Sequence, residues 1–420
     1  MKFQAVKGCE DYYPQDYATR EAVFNVLRRV ARSYGFSEVS TPAVEMTDLL
    51  IKKSGQDAKE QLFNLVKKGS EELSLRFDLT VPLTRIFVTK QKELPKPVKW
   101  FSLDRMWRYE APQKGRQREF YQISVELFGA ARSEADAEVI ILALDCLRAF
   151  GLTSEDVVLK LNNRKLLEGF VTHVAGKDVV EDVIRLIDKR SKISSKEFVD
   201  TLLALSLNQE QAEKISDLSS ISGKPSEVLA QLMSMGVPES AKSGLEELEA
   251  VIPLLPKDFV ELDLSLARGL AYYTGNVFEV FDRKGELRAI LGGGRYDNLV
   301  ELFDGEKEAA TGFAIGYSTL SLLLEQKGKL PTPAIGPDYY VAGLGPKENY
   351  VALLIAAKLR QNYTVETDLM GRKIDKQLKY ANAIGARKVI VIGPQELASG
   401  IVKIKDMSSG KEEMRTLDSF

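Results

Sequence analysis

Residues 95–129 have the sequence PKPVKWFSLDRMWRYEAPQKGRQREFYQISVELFG. Two segments with alternating apolar residues, 95–110 and 119–129, flank a polar loop at 111–118, and this pattern predicts a long antiparallel hairpin. Because side chains alternate along a strand, the second strand has two different faces. One face carries Phe120, Gln122, Ser124 and Glu126, and the other carries Tyr121, Ile123, Val125 and Leu127. The first face combines an aromatic ring with polar groups that could bind a ligand.

Arg108 and Glu110 lie two residues apart on the first predicted strand, so we expect them to face the same side of the sheet. A guanidinium suits a phosphate oxygen, and the ring of Phe120 offers a flat surface for a base. A solvated sheet face with cross-strand salt bridges explains the same pattern. The hairpin alone therefore leaves a phosphate site and an ordinary surface as alternatives.

The loop of the hairpin contains the basic residues Lys114, Arg116 and Arg118 beside Gly115. A compact basic tip of this kind can contact the phosphates of a nucleic acid. A solvated loop explains the motif equally when it is taken alone. Contact with a nucleic acid is a hypothesis at this point.

The chain before the hairpin predicts a helix followed by a strand at a sheet edge. Apolar residues recur at helical spacing over 19–34, and Gly35 follows as a terminating residue. The run 36–42 is rich in strand-forming residues and stops at Pro42, which favours an edge. Because an exposed edge strand pairs readily with another chain, this segment is a candidate dimer contact.

The rest of the sequence predicts two domains and a linker. Helical patterns over about 160–258 predict a helical insertion within a mixed sheet domain that spans residues 1–328. Residues 329–337 contain three prolines and form the predicted linker. Strands and helices alternate over 338–420, which predicts a small α/β domain with a largely parallel sheet.

Two further segments contain groups that could contact a small ligand. Asp78 and Thr80 place a carboxylate and a hydroxyl on one side of a predicted strand, an arrangement that suits an ammonium group. Arg268 begins a glycine-containing segment that includes Tyr272 and Tyr273. These tyrosines could equally be core rings whose hydroxyls are hydrogen-bonded.

Basic residues also occur in two less specific patterns. Arg295 follows three glycines, which match neither a dinucleotide-binding nor a Walker fingerprint. If a helix begins at about Arg372, then Arg372, Lys376 and Lys379 form one basic stripe on it. A solvated helix face explains this stripe as well.

The composition excludes several classes of protein. The 420 residues are 44% hydrophobic and 28% charged, without an apolar stretch that approaches a membrane span or a secretory signal. Two cysteines are too few for a disulfide framework, so the cytoplasm is the expected location. His173 is the one histidine, so neither a serine triad nor a histidine-based metal site is expected, and we predict no protein metal ligands. The formal charge of −2 leaves RNA binding undecided.

Taken in order, these segments resemble the class II aminoacyl-tRNA synthetases, and specifically the histidyl-tRNA synthetase family, over nearly the whole chain. The resemblance implies an α+β fold: an antiparallel sheet with flanking helices, a helical insertion and a C-terminal α/β anticodon-binding domain. Its segments are 35–42 (motif 1), 107–129 (motif 2 with its Arg-x-Glu signature), 268–275 (the histidine-specific signature, RGLAYYTG), 312–316 (the start of motif 3), and 377–386 with 396–400 (the anticodon-binding domain).

The resemblance implies an enzyme that activates L-histidine with ATP, accompanied by Mg²⁺, and transfers it to tRNA(His) as a homodimer. Arg108 would bind the α-phosphate of ATP, Glu110 the adenine amino group, and Phe120 would stack under the base. Arg268 would hold the α-phosphate and the carboxylate of histidine while negative charge develops.

The same resemblance implies the histidine and tRNA contacts. The ammonium group would meet Asp78, Thr80 and Gln122, and the imidazole would meet Glu126 with Tyr273 or Tyr272. Arg116 and Arg118 would lie near the acceptor end of the tRNA, and Arg372, Lys376 and Lys379 would contact tRNA from the anticodon-binding domain.

Two positions depart from the family pattern. Motif 3 ordinarily ends in Glu-Arg, whose arginine covers the adenine, but Tyr317-Ser318-Thr319 stands here, and Arg295 is a candidate for that role. Ala271 occupies a position of the histidine signature where most members carry Asp. An alternative function is that of the histidine-binding regulatory subunit of ATP phosphoribosyltransferase, a relative that does not charge tRNA and typically lacks the anticodon-binding domain.

Overall fold

A computed structural model describes residues 3–54, 56–66, 69–113, 115–268 and 272–420. The chain forms two compact units. The first comprises Met1–Asp11 and Val23–Leu330, and the second comprises Tyr12–Ala22 and Pro331–Phe420. None of the helices in the described part of the chain has the length and apolar character needed to cross a membrane.

The strands, in chain order, are β1 (Ser37–Glu38), β2 (Val44–Met46), β3 (Phe63–Asn64), β4 (Leu73–Leu75), β5 (Val98–Trp107), β6 (Glu119–Phe128), β7 (Val157–Asn163), β8 (Ser222–Gly223), β9 (Val260–Asp263), β10 (Asn276–Asp282), β11 (Leu291–Arg295), β12 (Ala310–Gly316), β13 (Tyr339–Gly343), β14 (Val365–Thr367), β15 (Lys388–Ile392), β16 (Ile401–Asp406) and β17 (Glu412–Thr416).

The α-helices are α1 (Pro14–Ser33), α2 (Thr47–Ser54), α3 (Thr80–Lys90), α4 (Ser133–Arg148), α5 (Arg164–Ala175), α6 (Val180–Ile187), α7 (Ser195–Ala204), α8 (Gln209–Leu218), α9 (Pro225–Met235), α10 (Glu239–Val251), α11 (Leu299–Leu302), α12 (Tyr317–Gln326), α13 (Pro346–Leu359), α14 (Ile374–Ala383) and α15 (Pro394–Ser399). Short 3₁₀ helices occur at Gln56–Gln61, Arg190–Lys192, Ile252–Leu254, Lys257–Phe259 and Leu417–Ser419.

The first unit is built on a nine-stranded sheet with the order β1-β5-β6-β12-β11-β10-β7-β9-β8. The six central strands pair with one another in antiparallel fashion, in the order β5, β6, β12, β11, β10 and β7. At the sides of this group, β1 pairs in parallel with β5, and β9 pairs in parallel with β7. Strands β5 and β6 pair from Val98 opposite Phe128 to Trp107 opposite Glu119, so the predicted hairpin is confirmed. This sheet with its helices confirms the predicted α+β fold class.

The segment before the hairpin forms the predicted helix and edge strand. Helix α1 ends at Ser33, and Gly35 takes a left-handed conformation with φ of 78°, which suits a residue without a side chain. Phe36 then donates its amide hydrogen to the Ala31 carbonyl at 3.2 Å. Strand β1 follows at one edge of the nine-stranded sheet, beside β5.

The predicted strand that carries Asp78 and Thr80 is wrong. Strand β4 ends at Leu75, and α3 begins at Thr80. The Asp78 carboxylate accepts a hydrogen bond from the Val81 amide at 3.1 Å. Because the first amides of a helix lack intrahelical partners, a carboxylate placed there stabilises the helix start.

Buried Arg76 joins the segment before Asp78 to strand β5. Its guanidinium donates to the carbonyl oxygens of Thr41 at 2.6 Å and Pro42 at 3.1 Å. It also pairs with Asp104 at 2.6 Å, on the strand that leads to Arg108. The charge of Arg76 is thus balanced inside the first unit, and its role is structural.

Between β7 and β9 the chain forms six helices, α5 to α10, with β8 among them. Helices α5 and α10 pack closely because glycines remove side chains from their contact. A Cβ atom on Gly169 of α5 would lie 2.4 Å from the Ala241 Cα, and one on Gly244 of α10 would lie 2.2 Å from the Leu166 nitrogen.

The second unit contains a five-stranded sheet with the order β14-β13-β15-β16-β17. Strands β14, β13 and β15 are parallel, while β16 and β17 are antiparallel additions at one edge. The predicted α/β character of this region is confirmed. The sheet is parallel only in its first three strands, because β16 and β17 follow one another through a tight turn.

Candidate active site

A cavity of about 350 Å³ lies in the first unit, beside the first residues of β6 and the last residue of β12. It brings together five residues predicted from sequence: Arg108, Glu110, Arg116, Phe120 and Gln122. It also contains Ser318 and Thr319, from the segment that departs from motif 3, together with Glu279 and Arg288, which the sequence did not single out. Cations, carboxylates and one aromatic ring therefore share a single cavity.

Arg108 lies one residue beyond β5, so its predicted position within the strand is wrong by a single residue. Its amide still bonds to the Arg118 carbonyl at 2.8 Å, and its Nε donates to the Phe77 carbonyl at 3.1 Å. The guanidinium carbon lies 5.1 Å from the centre of the Phe120 ring. Burial lowers the pKa of Arg108, and Asp78 opposes that shift, but an arginine stays charged.

Glu110 also lies beyond the strand, in a turn where its amide bonds to the Arg108 carbonyl at 2.9 Å. Its carboxylate pairs with the Arg116 guanidinium in the cavity. Arg118 donates to the Glu110 carbonyl at 3.0 Å and covers the Tyr109 ring at 4.3 Å. The basic loop is thus folded onto the cavity, while Lys114 lies outside the described residues.

Arg268 takes a left-handed backbone conformation with φ of 46°, which is costly for a residue with a side chain. Its guanidinium pairs with Glu279 and donates to the Tyr273 hydroxyl at 3.0 Å. Burial alone lowers the pKa of Arg268, but Tyr273 and Glu279 outweigh burial and raise the pKa. Its Nε is buried without a hydrogen-bond partner among the described residues.

The two tyrosines of the 268–275 segment lie side by side. The rings of Tyr272 and Tyr273 are 4.4 Å apart, and Tyr273 is buried against the sheet. Burial, together with Tyr273, raises the pKa of Tyr272 well above its usual value, so the Tyr272 hydroxyl is a neutral donor at pH 7. Ala271, the other departure from the family pattern, lies outside the described residues.

Glu126 and Gln122 lie on the same face of β6, as alternation predicted. Glu126 is 1% exposed and accepts a hydrogen bond from the Tyr296 hydroxyl. The facing strand provides room through Gly312, where a Cβ would lie 2.5 Å from the Glu126 carboxylate. Gln122 donates to the Ser124 hydroxyl at 3.2 Å and also lines the cavity.

Arg295 is not among the residues that line this cavity. Its guanidinium forms a buried ion pair with Asp136 at 2.8 Å and a second pair with Asp297 at 3.0 Å. It also donates to the Ala130 carbonyl at 3.2 Å. The contacts with Asp136 and Ala130 hold the end of β11 to the start of α4, so the structure gives Arg295 a supporting position.

Arg372 precedes the helix that was expected to carry it. Helix α14 begins at Ile374, and Arg372 pairs instead with Asp368 at 3.0 Å and covers the Tyr380 ring at 4.3 Å. The predicted three-residue stripe is therefore wrong, because Arg372 lies before the helix. Lys376 and Lys379 remain as two exposed lysines one turn apart on α14.

No sequence motif marks Glu279 or Arg288, the cavity residues that were not predicted. Glu279 is the single charged side chain inside the apolar run of residues 278–281, which was a clue to a partner. Arg288 lies in an irregular segment before β11, where nothing local marks it. No group of three or more His, Cys, Asp or Glu side chains suited to a metal ion occurs in the described parts of the chain.

A family model described as histidyl-tRNA synthetase matches residues 8–320. The chain belongs to the histidyl-tRNA synthetase family. A second model, described as an anticodon binding domain, matches residues 338–420, the region of the five-stranded sheet. Both parts of the chain thus match models in the order that the histidyl-tRNA synthetase resemblance implied.

Full-length relatives of this histidyl-tRNA synthetase family member are named histidine–tRNA ligase. The Pyrococcus furiosus protein is 40% identical and the alignment covers 99% of this chain and 97% of that protein. The Halobacterium salinarum protein is 39% identical, and the alignment covers 100% of this chain and 97% of that protein. The relatives therefore match the catalytic and C-terminal regions together.

Solved structures extend this similarity to the fold. A histidyl-tRNA synthetase from Nostoc sp. PCC 7120 superposes with a TM-score of 0.83 at 30% identity, covering 100% of this chain and 98% of that one. A Bacillus halodurans structure described as an ATP phosphoribosyltransferase regulatory subunit/histidyl-tRNA synthetase superposes with a TM-score of 0.77 at 24% identity. The superposition covers 94% of this chain and 99% of that one. The second likeness concerns the fold alone.

Arg295→Ala should destabilise this histidyl-tRNA synthetase family member and leave its nucleotide affinity nearly unchanged. The substitution strands the buried carboxylate of Asp136, whose pKa burial raises and Arg295 lowers. We expect the free energy of unfolding to fall by about 3–5 kcal/mol in a denaturant titration. The exposed Arg132→Ala is the matched control, with a change below about 0.5 kcal/mol. Unchanged stability together with a tenfold loss of ATP affinity would instead put Arg295 in the nucleotide site.

Proposed function

We propose that this chain is a histidine–tRNA ligase, which joins L-histidine to ATP to form histidyl adenylate and then transfers the histidyl group to the 3′ end of tRNA(His). The observation that carries the proposal is the cavity in which Arg108 and Phe120 meet Glu279, the partner of Arg268. The relatives that match the whole chain carry the name of this activity. A site of arginines and carboxylates stabilises charge at a phosphate without a catalytic histidine.

ATP is the first substrate of the proposed reaction. The guanidinium of Arg108 would bind the α-phosphate, and the ring of Phe120 would stack under the adenine. Glu110 would accept a hydrogen bond from the adenine amino group. Because Glu110 pairs with Arg116 in this structure, that ion pair would have to loosen when ATP binds.

The residues fit the Mg²⁺ that would accompany the triphosphate. Mg²⁺ keeps several waters and binds through phosphates and one or two carboxylates, so it needs no dedicated cluster of protein ligands. Glu110 and Glu279 are the carboxylates that line the cavity. When bound, the ion would neutralise the charge of the phosphates.

Histidine would bind beside the α-phosphate, deeper along the same face of β6. Asp78, Thr80 and Gln122 would receive its ammonium group. Glu126 would accept a hydrogen bond from the imidazole, with the hydroxyl of Tyr273 or Tyr272 as the second polar contact. Apolar amino acids could not make these polar contacts, which gives selectivity for histidine.

Arg268 would stabilise the activation step. A carboxylate oxygen of histidine attacks the α-phosphorus of ATP, the bond to the bridging oxygen breaks, and pyrophosphate leaves. Negative charge builds on the α-phosphate oxygens, where a guanidinium that is already oriented lowers the barrier. Glu279 and the Tyr273 hydroxyl hold that guanidinium in place.

The tRNA would contact both units. Arg116 and Arg118 would lie near its acceptor end, where the terminal hydroxyl attacks the histidyl carbonyl and AMP leaves. The domain of residues 338–420, with Arg372, Lys376 and Lys379, would contact the anticodon region, where unpaired bases can be read at their edges. A regulatory subunit that binds histidine without charging tRNA would have no use for this domain.

The assembly and location follow as further parts of the proposal. We propose a homodimer that forms through the segment 35–42, where β1 occupies the edge of the nine-stranded sheet. We propose a cytoplasmic location, where the tRNA substrate is found. We also propose that residues 1–328 form the catalytic domain and residues 338–420 the anticodon-binding domain, with 329–337 as the linker.

Arg268→Ala should lower the rate of histidine-dependent ATP–pyrophosphate exchange about 10²–10³-fold, because a preorganised charge is lost from the transition state. Arg268→Lys should recover only a part of the rate, since an ammonium cannot contact Glu279 and Tyr273 together in the same geometry. The exposed Arg185→Ala in α6 is the matched control. Exchange within a few-fold of wild type for Arg268→Ala would remove Arg268 from the mechanism.

The double variant Lys376→Ala/Lys379→Ala should raise the KM for tRNA(His) in aminoacylation and leave pyrophosphate exchange unchanged. Loss of phosphate contacts should also make the salt dependence of tRNA binding shallower, by about one unit of log–log slope per contact. Lys403→Ala/Lys405→Ala, on β16 of the same domain, is the control pair. Equal effects of the two double variants, or a matching loss of exchange, would contradict a specific role for α14.

A further inference from the structure

The position where family members ordinarily carry the motif 3 arginine lies on the cavity wall. Helix α12 begins at Tyr317, and the short side chains of Ser318 and Thr319 line the cavity. Gly316 precedes them, and a Cβ built there meets nothing within 4 Å. The cavity therefore has open space at Gly316, beside the short side chains of Ser318 and Thr319.

Arg288 lines the same cavity from another part of the chain, the irregular segment between β10 and β11. Its side chain is exposed, and it forms no hydrogen bond or ion pair with any residue that the structure describes. By contrast, Arg116 pairs with Glu110, and Arg268 pairs with Glu279. Arg288 is thus a cavity arginine whose guanidinium is available for a ligand.

We propose that Arg288 covers the adenine of ATP from the side opposite Phe120, in the place that Thr319 leaves open. The inference rests on the proposed function, because it requires that the cavity binds ATP. A guanidinium is planar and cationic, so it attracts the face of an aromatic base while its edges stay hydrated. The base would lie over Gly316, between the ring of Phe120 and the guanidinium of Arg288.

In this arrangement, Arg108 and Arg288 bind different parts of ATP. Arg108, the residue proposed to bind the α-phosphate, is half-buried, and its Nε donates to the Phe77 carbonyl. Arg288 comes from the segment between β10 and β11 and lines the cavity together with Ala289, Ser318 and Thr319. The arginine that covers the base is therefore supplied by the segment before β11 instead of the start of α12.

Isothermal titration of the full-length chain with ATP and with a non-hydrolysable analogue of histidyl adenylate tests the proposal. Arg288→Ala should weaken binding of both ligands by a similar factor of about 5–30-fold, because both contain the adenine. Arg288→Lys should fall between wild type and Arg288→Ala, since the charge is kept and the plane is lost. Lys284→Ala, an exposed cation in the preceding turn, should bind both ligands like wild type.

Adding Thr319→Arg to Arg288→Ala should restore most of the lost affinity, because it returns a guanidinium to the same space from α12. A loss of ATP affinity without a loss of analogue affinity would show that Arg288 contacts the β- or γ-phosphate, and would overturn the proposal. Unchanged binding of both ligands by Arg288→Ala would overturn it as well. If wild type bound neither ligand, the proposed function itself would fail, whereas these variant results leave that function standing.

Discussion

The position of the Arg268 guanidinium depends on the absence of a side chain at Gly292. A Cβ on Gly292 would lie 2.5 Å from a terminal nitrogen of Arg268, so any larger residue would push the guanidinium off the sheet. Strand β10 places Glu279 directly opposite Gly292, and the carboxylate holds the arginine there. One glycine, one carboxylate and one strained arginine thus position the charge that the proposed reaction needs.

Glycines on β12, the strand beside β11, also leave room for other groups. Gly312 on β12 leaves room for the buried carboxylate of Glu126 on β6, which accepts a hydrogen bond from the Tyr296 hydroxyl. Gly316, at the end of β12, lines the cavity and leaves open space there. Charged residues from other parts of the first unit, among them Arg108, Glu110 and Glu279, supply the chemistry of the cavity.

Much of this arrangement could be predicted from sequence, because strand alternation is a local property. Alternation along β6 placed Phe120, Gln122 and Glu126 on one face, and the structure has them there. The prediction failed where local patterns change at an element boundary. Asp78 lies at a helix start instead of in a strand, since its carboxylate bonds to a helix amide. Arg372 precedes α14 for a comparable reason, because its own amide bonds to the Asp368 carboxylate at 2.5 Å.

The partners of the arginines could not be predicted, since they depend on contacts between distant parts of the chain. Arg295 follows a glycine run that suggests a ligand, yet Asp136 on α4 neutralises it 159 residues away in sequence. Arg288 has no motif around it, and only the fold brings it to the cavity wall that Thr319 leaves open. Buried charge pairs and open cavity walls are properties of the packed structure, which the sequence encodes without a short signature.

The proposed function requires that the chain activates histidine and no other amino acid. ATP–pyrophosphate exchange by the purified full-length chain, measured separately with each standard amino acid, tests this selectivity. We expect exchange with L-histidine and only background exchange with the others, because side chains that lack an imidazole cannot make the polar contacts that Glu126 and the tyrosine hydroxyl offer. Histidine binding without any exchange, or comparable exchange with a different amino acid, would contradict it.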